Sequence, residues 1–207
     1  MSNDAIFAIV YFAGLIAGSV IRVVYSRQIM DRTIQADRSS GWDMLLSALP
    51  ALGMIVLPLV YVLTSRLDWT NYELPMWAGL VGTVMYGLAM VLLWRSHADL
   101  GSSFSPKLVV MEQHALVTRG VYSRVRHPMY TAHLVWALAQ PLLLWNWIAG
   151  FGMLLFTVPL LIYRIPREEQ MMAEHFGAAY QAYAAHTGRL LPPWRQHGGS
   201  HSPAART

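Results

Sequence analysis

Four stretches of the chain are apolar enough, for long enough, to read as membrane material: Ala5 to Ile21, Met44 to Leu63, Pro75 to Trp94, and Tyr130 to Ile165. A helix needs about 20 mostly apolar residues to cross the hydrocarbon core. The fourth stretch is long enough for two crossings, and Trp145-Asn146-Trp147 sits in its middle. Tryptophan favours the membrane interface and asparagine favours a turn, so the pattern predicts a helical hairpin, Tyr130 to about Leu144 and about Ile148 to Ile165. Both arms are short, which calls for tilt or local bilayer thinning. Beyond Ile165, Met172, Phe176, Tyr180 and Tyr183 recur at three- and four-residue spacing, the mark of a helix lying on the membrane or on the domain. Gly177 marks a bend in it and Pro192-Pro193 its end. The expected fold is all-α and polytopic, with about five transmembrane helices and a cytoplasmic C-terminal site.

Composition sharpens this. Only 13% of residues are charged and 55% are hydrophobic, against about 25% charged for soluble domains. The absence of cysteine excludes disulfides and thiolate metal sites. The net charge of +4 suggests nucleic acid until its distribution is examined. Arg22, Arg27, Arg32 and Arg38 follow the first stretch, and only Arg66 follows the second. Arg95, Lys107, Arg119, Arg124 and Arg126 follow the third, none falls in the hairpin turn, and Arg164, Arg167, Arg189, Arg195 and Arg206 follow the last. With five spans, fourteen of the fifteen basic residues share one side. The positive-inside rule makes that side the cytosol, with the N-terminus outside. Only Asp4 is charged ahead of the first stretch, so it reads as a retained helix rather than a signal peptide. The chain divides into three N-terminal spans (1–94), a region carrying the hairpin and the cofactor-binding segments (95–194), and a tail (195–207) whose Gly, Ser and His content predicts disorder.

Two clusters can carry chemistry. The first is His114-Ala115-Leu116-Val117-Thr118-Arg119-Gly120-Val121-Tyr122, followed by Arg126-His127-Pro128-Met129-Tyr130. Pro128 suits the first turn of a helix, whose free backbone donors and positive dipole end can hold an anionic group. Arg126 and His127 read equally as interfacial anchors facing lipid phosphates. The second is Arg164, Arg167, Glu168 and Glu169; Arg164 and Glu168 stand four apart on one helix face. It reads either as a site or as a paired helix end. The hairpin returns both clusters to the same side, which favours the site. His97 and His133 have no partner at a metal-site spacing and read as satisfied histidines; no metal is expected.

These residues resemble the isoprenylcysteine carboxyl methyltransferase family, within the wider set of membrane methyltransferases that includes the phospholipid methylating enzymes. The run His114-x-Leu116-Val117-Thr118-x-Gly120-Val121-Tyr122 with Arg126-His127-Pro128-x-Tyr130 is similar to the family's first motif. Glu168-Glu169, Phe176-Gly177-x-x-Tyr180-x-x-Tyr183 and Leu191-Pro192 are similar to its second. The resemblance covers roughly Ser103 to Pro192. It implies that His114, Ala115, Leu116, Val117, Tyr122, His127, Pro128, Met129, Tyr130 and Glu168 form an S-adenosylmethionine pocket. It further implies that Arg164 contacts the acceptor carboxylate. An amine or thiol acceptor would need its proton removed, with Glu169 or a water as base. Ala132 stands where the family usually has Gly, and a cofactor-contacting Gln of some members has no match near Lys107 to Val110. The acceptor implied is lipophilic, an isoprenylcysteine-like carboxylate entering from the bilayer. A lipid amine or small thiol, or an NADPH-dependent membrane reductase of related architecture, stays open beside it. The expected setting is a bacterial inner membrane, with membrane lipid as partner and no nucleic acid.

Overall fold

The structure is a computed structural model that describes residues 3–27, 34–37, 41–101, 109–111 and 116–193. Helix α1 (Asn3–Arg27) is followed by a strand, β1 (Ile34–Asp37). Helix α2 (Gly41–Ala51), a π-helical turn (Leu52–Val56) and α3 (Leu57–Leu63) form one continuous rod. Helix α4 (Met76–Leu100), strand β2 (Val109–Met111), α5 (Pro128–Leu144), α6 (Trp147–Phe176) and α7 (Ala178–His186) complete the order. Among the described residues, four helical rods are long and apolar enough to cross a membrane: Ala5–Arg27, Leu45–Leu63, Met76–Leu100 and Trp147–Phe176. The fifth expected span, α5, has 17 residues and packs against α1, α4 and α6 at the centre of the bundle. The protein is a multi-pass integral membrane protein. A short antiparallel ribbon, β1 with β2, joins the first and third connections; no hydrophobic pattern announced it.

The helices pack through small residues. In α1 the inward stripe is Phe7, Tyr11, Leu15 and Gly18, spaced four, four and three apart, while Ile9, Ile16, Val20 and Val23 face outward. A Cβ on Gly14 would stand 2.3 Å from the Tyr86 ring, and one on Gly53 would stand 2.3 Å from the Gly152 backbone. Helix backbones approach this closely only where no side chain intervenes. The π-helical turn frees the Gly53 carbonyl, which accepts from Nε2 of the fully buried Gln140 at 2.8 Å; the same Nε2 donates to Ala149 O at 2.6 Å. Tyr11 Oη donates to Met54 O at 2.6 Å. In a bilayer each such group needs an internal partner.

The hairpin turns where the sequence predicts. Trp145 takes the left-handed conformation at φ 45°, and Asn146 caps α6 by accepting from the amides of Ile148 and Ala149. The Asn146 Nδ2 donates to Leu67 O and Asn71 Oδ1, tying the second connection to the hairpin at the end of the bundle away from the charged clusters. Two expected boundaries shift. The last span does not stop near Ile165: α6 runs 30 residues, through Pro159 and Pro166, to Gly177 at φ 54°. Neighbouring helices offset the lost hydrogen bonds that make proline a breaker in water. The division at 94/95 falls inside α4, which continues to Leu100. The tail from 195 lies outside the described residues.

Candidate active site

Three local devices bring the two clusters together. Asp99, near the end of α4, accepts from the Val121 amide at 2.8 Å. Gly120, at φ 59°, leaves room for that carboxylate, which a Cβ would approach to 2.1 Å. The backbone of 124–127 then pairs with 188–189: Arg126 N to Gly188 O at 2.8 Å, His127 N to Arg189 O at 3.1 Å, and Gly188 N to Arg124 O at 3.1 Å. Finally, Thr131 Oγ1 donates to Leu190 O at 2.7 Å. The segment before α5 is thereby stitched to the segment after α7, over the C-terminal turns of α6.

The ionisable groups form two linked sets around adjacent glutamates. Glu168 Oε1 accepts from Arg164 Nε at 2.8 Å and from Tyr130 Oη at 2.5 Å, and its Oε2 lies 3.6 Å from His127 Nδ1. Arg164 Nη1 reaches back to Ser47 Oγ on α2 at 2.8 Å. Glu169 faces the other way. Its Oε1 accepts from Arg126 Nε at 3.1 Å and lies 3.3 Å from His127 Nε2, while Oε2 accepts from Arg189 Nη2 at 2.5 Å. Arg126 Nη1 also donates to the carbonyls of Ala184 and Thr187. Burial disfavours charge on the His127 imidazole, but hydrogen bonds and charge from Glu168 and Glu169 outweigh it and hold its pKa above the ordinary value. Burial pushes the Tyr183 phenol up to about 12. Its hydroxyl donates to Tyr122 O at 2.7 Å.

A cavity of about 330 Å³ opens beside Glu168 and runs into the bundle. Its polar end is walled by Leu116, Val117, Tyr122, Arg126, His127, Pro128, Met129 and Tyr130, with Glu168, Met171, Tyr180 and Tyr183 opposite. Its deep end is apolar, lined by Gly18, Pro50, Met54, Trp136, Leu160 and Leu161, with Thr157 among them. From Glu168 to Thr157 the cavity follows α6 for about 16 Å at about 1.5 Å per residue. Arg164 stands at the junction of the two ends. Of the expected pocket residues, Leu116, Val117, Tyr122, His127, Pro128, Met129, Tyr130 and Glu168 all meet this cavity, while His114 and Ala115 lie outside the described residues. Glu169 does not line it. Held by two arginines and a histidine, Glu169 is arranged as a clamp and is poorly suited to take a proton from an acceptor in the cavity. Sequence reasoning missed the contribution of the N-terminal helices, Ser47 and Arg22 above all, because single polar residues in an apolar stretch carry no spacing to read.

The model of the isoprenylcysteine carboxyl methyltransferase family matches residues 80–174, from the second turn of α4 to the last turn of α6. Protein-S-isoprenylcysteine O-methyltransferase B of Arabidopsis thaliana is 29% identical over 152 residues, 72% of this chain and 77% of that protein. The chain is similar to this family. The Schizosaccharomyces pombe protein-S-isoprenylcysteine O-methyltransferase is 34% identical over 103 residues, 50% of this chain and 42% of its own. A solved structure of the eukaryotic intramembrane Ras methyltransferase of the family superposes with a TM-score of 0.53 at 23% identity, covering 74% of this chain and 53% of that one. That likeness speaks for the fold. The family match begins inside α4, so this helix belongs physically and by similarity with the hairpin it packs on.

Proposed function

We propose that this chain methylates the carboxylate of a lipophilic, isoprenylcysteine-like acceptor at the cytosolic edge of the membrane, with S-adenosylmethionine as donor. The single observation that carries the reading is the two-ended cavity, with Arg164 where its polar end becomes apolar. The donor set of the polar end fits a charged amino-acid cofactor. Glu168 can meet an ammonium, the first turn of α5 offers the Met129 and Tyr130 amides to a carboxylate, and Tyr122, Tyr180 and Met171 supply flat and soft surface for a purine. The bound cofactor supplies a methyl group already activated by a positive sulfur.

A carboxylate acceptor then needs desolvation and alignment rather than a base. The apolar wall of Leu160, Leu161 and Met54 excludes water from the acceptor, and Arg164, fixed by Glu168 and Ser47, orients its carboxylate. An amine or thiol would need a proton acceptor in the cavity, and the clamped position of Glu169 argues against one there. The orientation supported by the basic residues has the N-terminus outside and the site cytosolic; a bacterial inner membrane is the setting we propose. The test is labelled S-adenosylmethionine with purified protein and a panel of prenylated cysteine acids, lipid amines and small thiols. Base-labile label on the acids supports the reading. Label only on amines or thiols, or cofactor-dependent oxidation of NADPH without methyl transfer, refutes it.

A further inference from the structure

Among the cavity residues that the mechanism leaves unused, one is a cation. Arg22 continues the inward stripe of α1, four residues after Gly18 and seven after Leu15, whereas Val23 and Val24 face outward. It lines the same cavity as Arg164. Its side chain is exposed despite that inward position, because the cavity opens in front of it. Among the described residues Arg22 makes no hydrogen bond or ion pair, and the charge that bears on it most strongly is that of Arg164, of its own sign. The nearby histidines give no relief. His97 Nδ1 meets Leu93 O at 2.9 Å and His133 Nδ1 meets Met129 O at 2.7 Å, so each ring spends a proton on the backbone and offers no negative charge.

A cation used as an interfacial anchor points outward to phosphate and water, as the exposed Arg27 at the end of the same helix is free to do. A cation aimed inward beside another cation raises the cost of the empty cavity unless an anion completes it. Among the described residues, the carboxylate lining the cavity is that of Glu168, and it is already paired with Arg164. Arg22 thus faces a like charge at the junction where the acceptor's head group would sit.

We infer that Arg22 is a second anchor for the acceptor's carboxylate, holding it against Arg164 and selecting anionic acceptors over neutral ones. This rests on the proposed carboxyl methylation and adds a specificity residue from outside the stretch matched by the family model. Transfer joins a carboxylate oxygen to the methyl carbon while the sulfur–methyl bond breaks with its electron pair left on sulfur; no proton moves, and both products are neutral at the reacting groups. Arg22 therefore has its partner in the ground state and loses it as the ester forms, so its effect falls on acceptor binding more than on turnover.

The experiment compares binding of N-acetyl-S-farnesylcysteine with that of its carboxamide, by calorimetry on detergent-purified protein saturated with S-adenosylhomocysteine. The variants are Arg22→Gln, Arg22→Lys and, as control, Arg27→Gln. Wild type and Arg27→Gln prefer the acid. Arg22→Gln weakens the acid by roughly tenfold or more, the scale of one charge-assisted hydrogen bond, and leaves the amide and S-adenosylhomocysteine unchanged. Arg22→Lys keeps part of the preference. An acid-to-amide ratio in Arg22→Gln within twofold of wild type overturns the inference, as does equal loss for both ligands. If wild type binds S-adenosylhomocysteine but neither acid nor amide, the isoprenylcysteine reading falls and takes this inference with it. If wild type binds the acid and Arg22→Gln retains it, the inference alone falls.

Discussion

Glu168→Gln separates a cofactor contact from a structural one. In the folded protein Glu168 accepts from Arg164 at 2.8 Å and from Tyr130 at 2.5 Å. Truncation to Ala orphans both donors, which costs about 1–3 kcal/mol for each buried group left unpaired. Gln keeps an oxygen for them and removes only the charge. The side chain is 21% exposed, toward the cavity, so solvent relieves part of the deficit and the fall in melting temperature for Gln should be clearly smaller than for Ala. The cofactor's ammonium, in contrast, loses a charge-assisted hydrogen bond worth about 1.5–3 kcal/mol, or roughly ten- to a hundredfold in affinity. The assay is paired: melting temperature in detergent, and the dissociation constant for S-adenosylhomocysteine by calorimetry. The reasoning predicts a large affinity loss in Glu168→Gln with a modest thermal one. Affinity within twofold of wild type, with Gln and Ala destabilised alike, would refute it and leave Glu168 a brace for Arg164.

Four further outcomes follow from the geometry. Arg126→Ala should destabilise by several kcal/mol, because Arg126 is 13% exposed and holds Glu169 and two carbonyls. Arg189→Ala, whose side chain is 55% exposed, should cost about 1 kcal/mol or less; comparable losses in thermal unfolding contradict the clamp. The His127 ion pairs contribute fully below its ordinary pKa of 6.5 and fade as pH rises through the raised folded value. The melting temperature should therefore decline with rising pH above about 6.5, with His127→Asn flattening that slope. Gly53→Ala should misfold or unfold readily, since its Cβ meets the Gly152 backbone at 2.3 Å; a wild-type melting curve contradicts the close crossing. Because the chain has no cysteine, Ser65→Cys and Gln181→Cys report topology directly: an impermeant maleimide should label the first on intact cells and the second only after permeabilisation.

Much of this arrangement was legible in the chain because membrane physics writes long signals. A helix without water partners must be apolar throughout, so every rod was visible, and the Trp145-Asn146-Trp147 turn stood out against the apolar hairpin that it divides. The contacts of Arg164 with Glu168 followed from four-residue spacing alone. What stayed hidden was set by tertiary packing. Proline argues for an end in water, so the continuation of α6 past Pro166 could not be read locally. The division of labour between Glu168 and Glu169 turns on a rotation of about 100° between successive helical positions, which the sequence shows, and on what each then faces, which it does not. Ser47 sits in a stretch where hydropathy is the only pattern and Arg22 follows one, where it reads only as part of the basic asymmetry; the folded cavity brings both beside Arg164.

Under the proposed function, the two ends of the cavity explain why the site would lie at a membrane edge. A charged cofactor has to arrive from water, and the stitched segments 124–127 and 188–189 would present it with Tyr122, His127 and Glu168 at the open end. An acyl or prenyl chain gains about 0.8 kcal/mol for each methylene kept out of water, so it stays among Met54, Leu160 and Leu161 and brings only its head group to Arg164. Neither reactant crosses into the other's solvent. Once the carboxylate becomes an ester, Arg164 faces a neutral oxygen in a poorly hydrated site, and the attraction that held the head group there is lost while the apolar end is unchanged. Release would then be favoured sideways, into the bilayer, and the same loss of charge would make the product a weaker competitor than fresh acid.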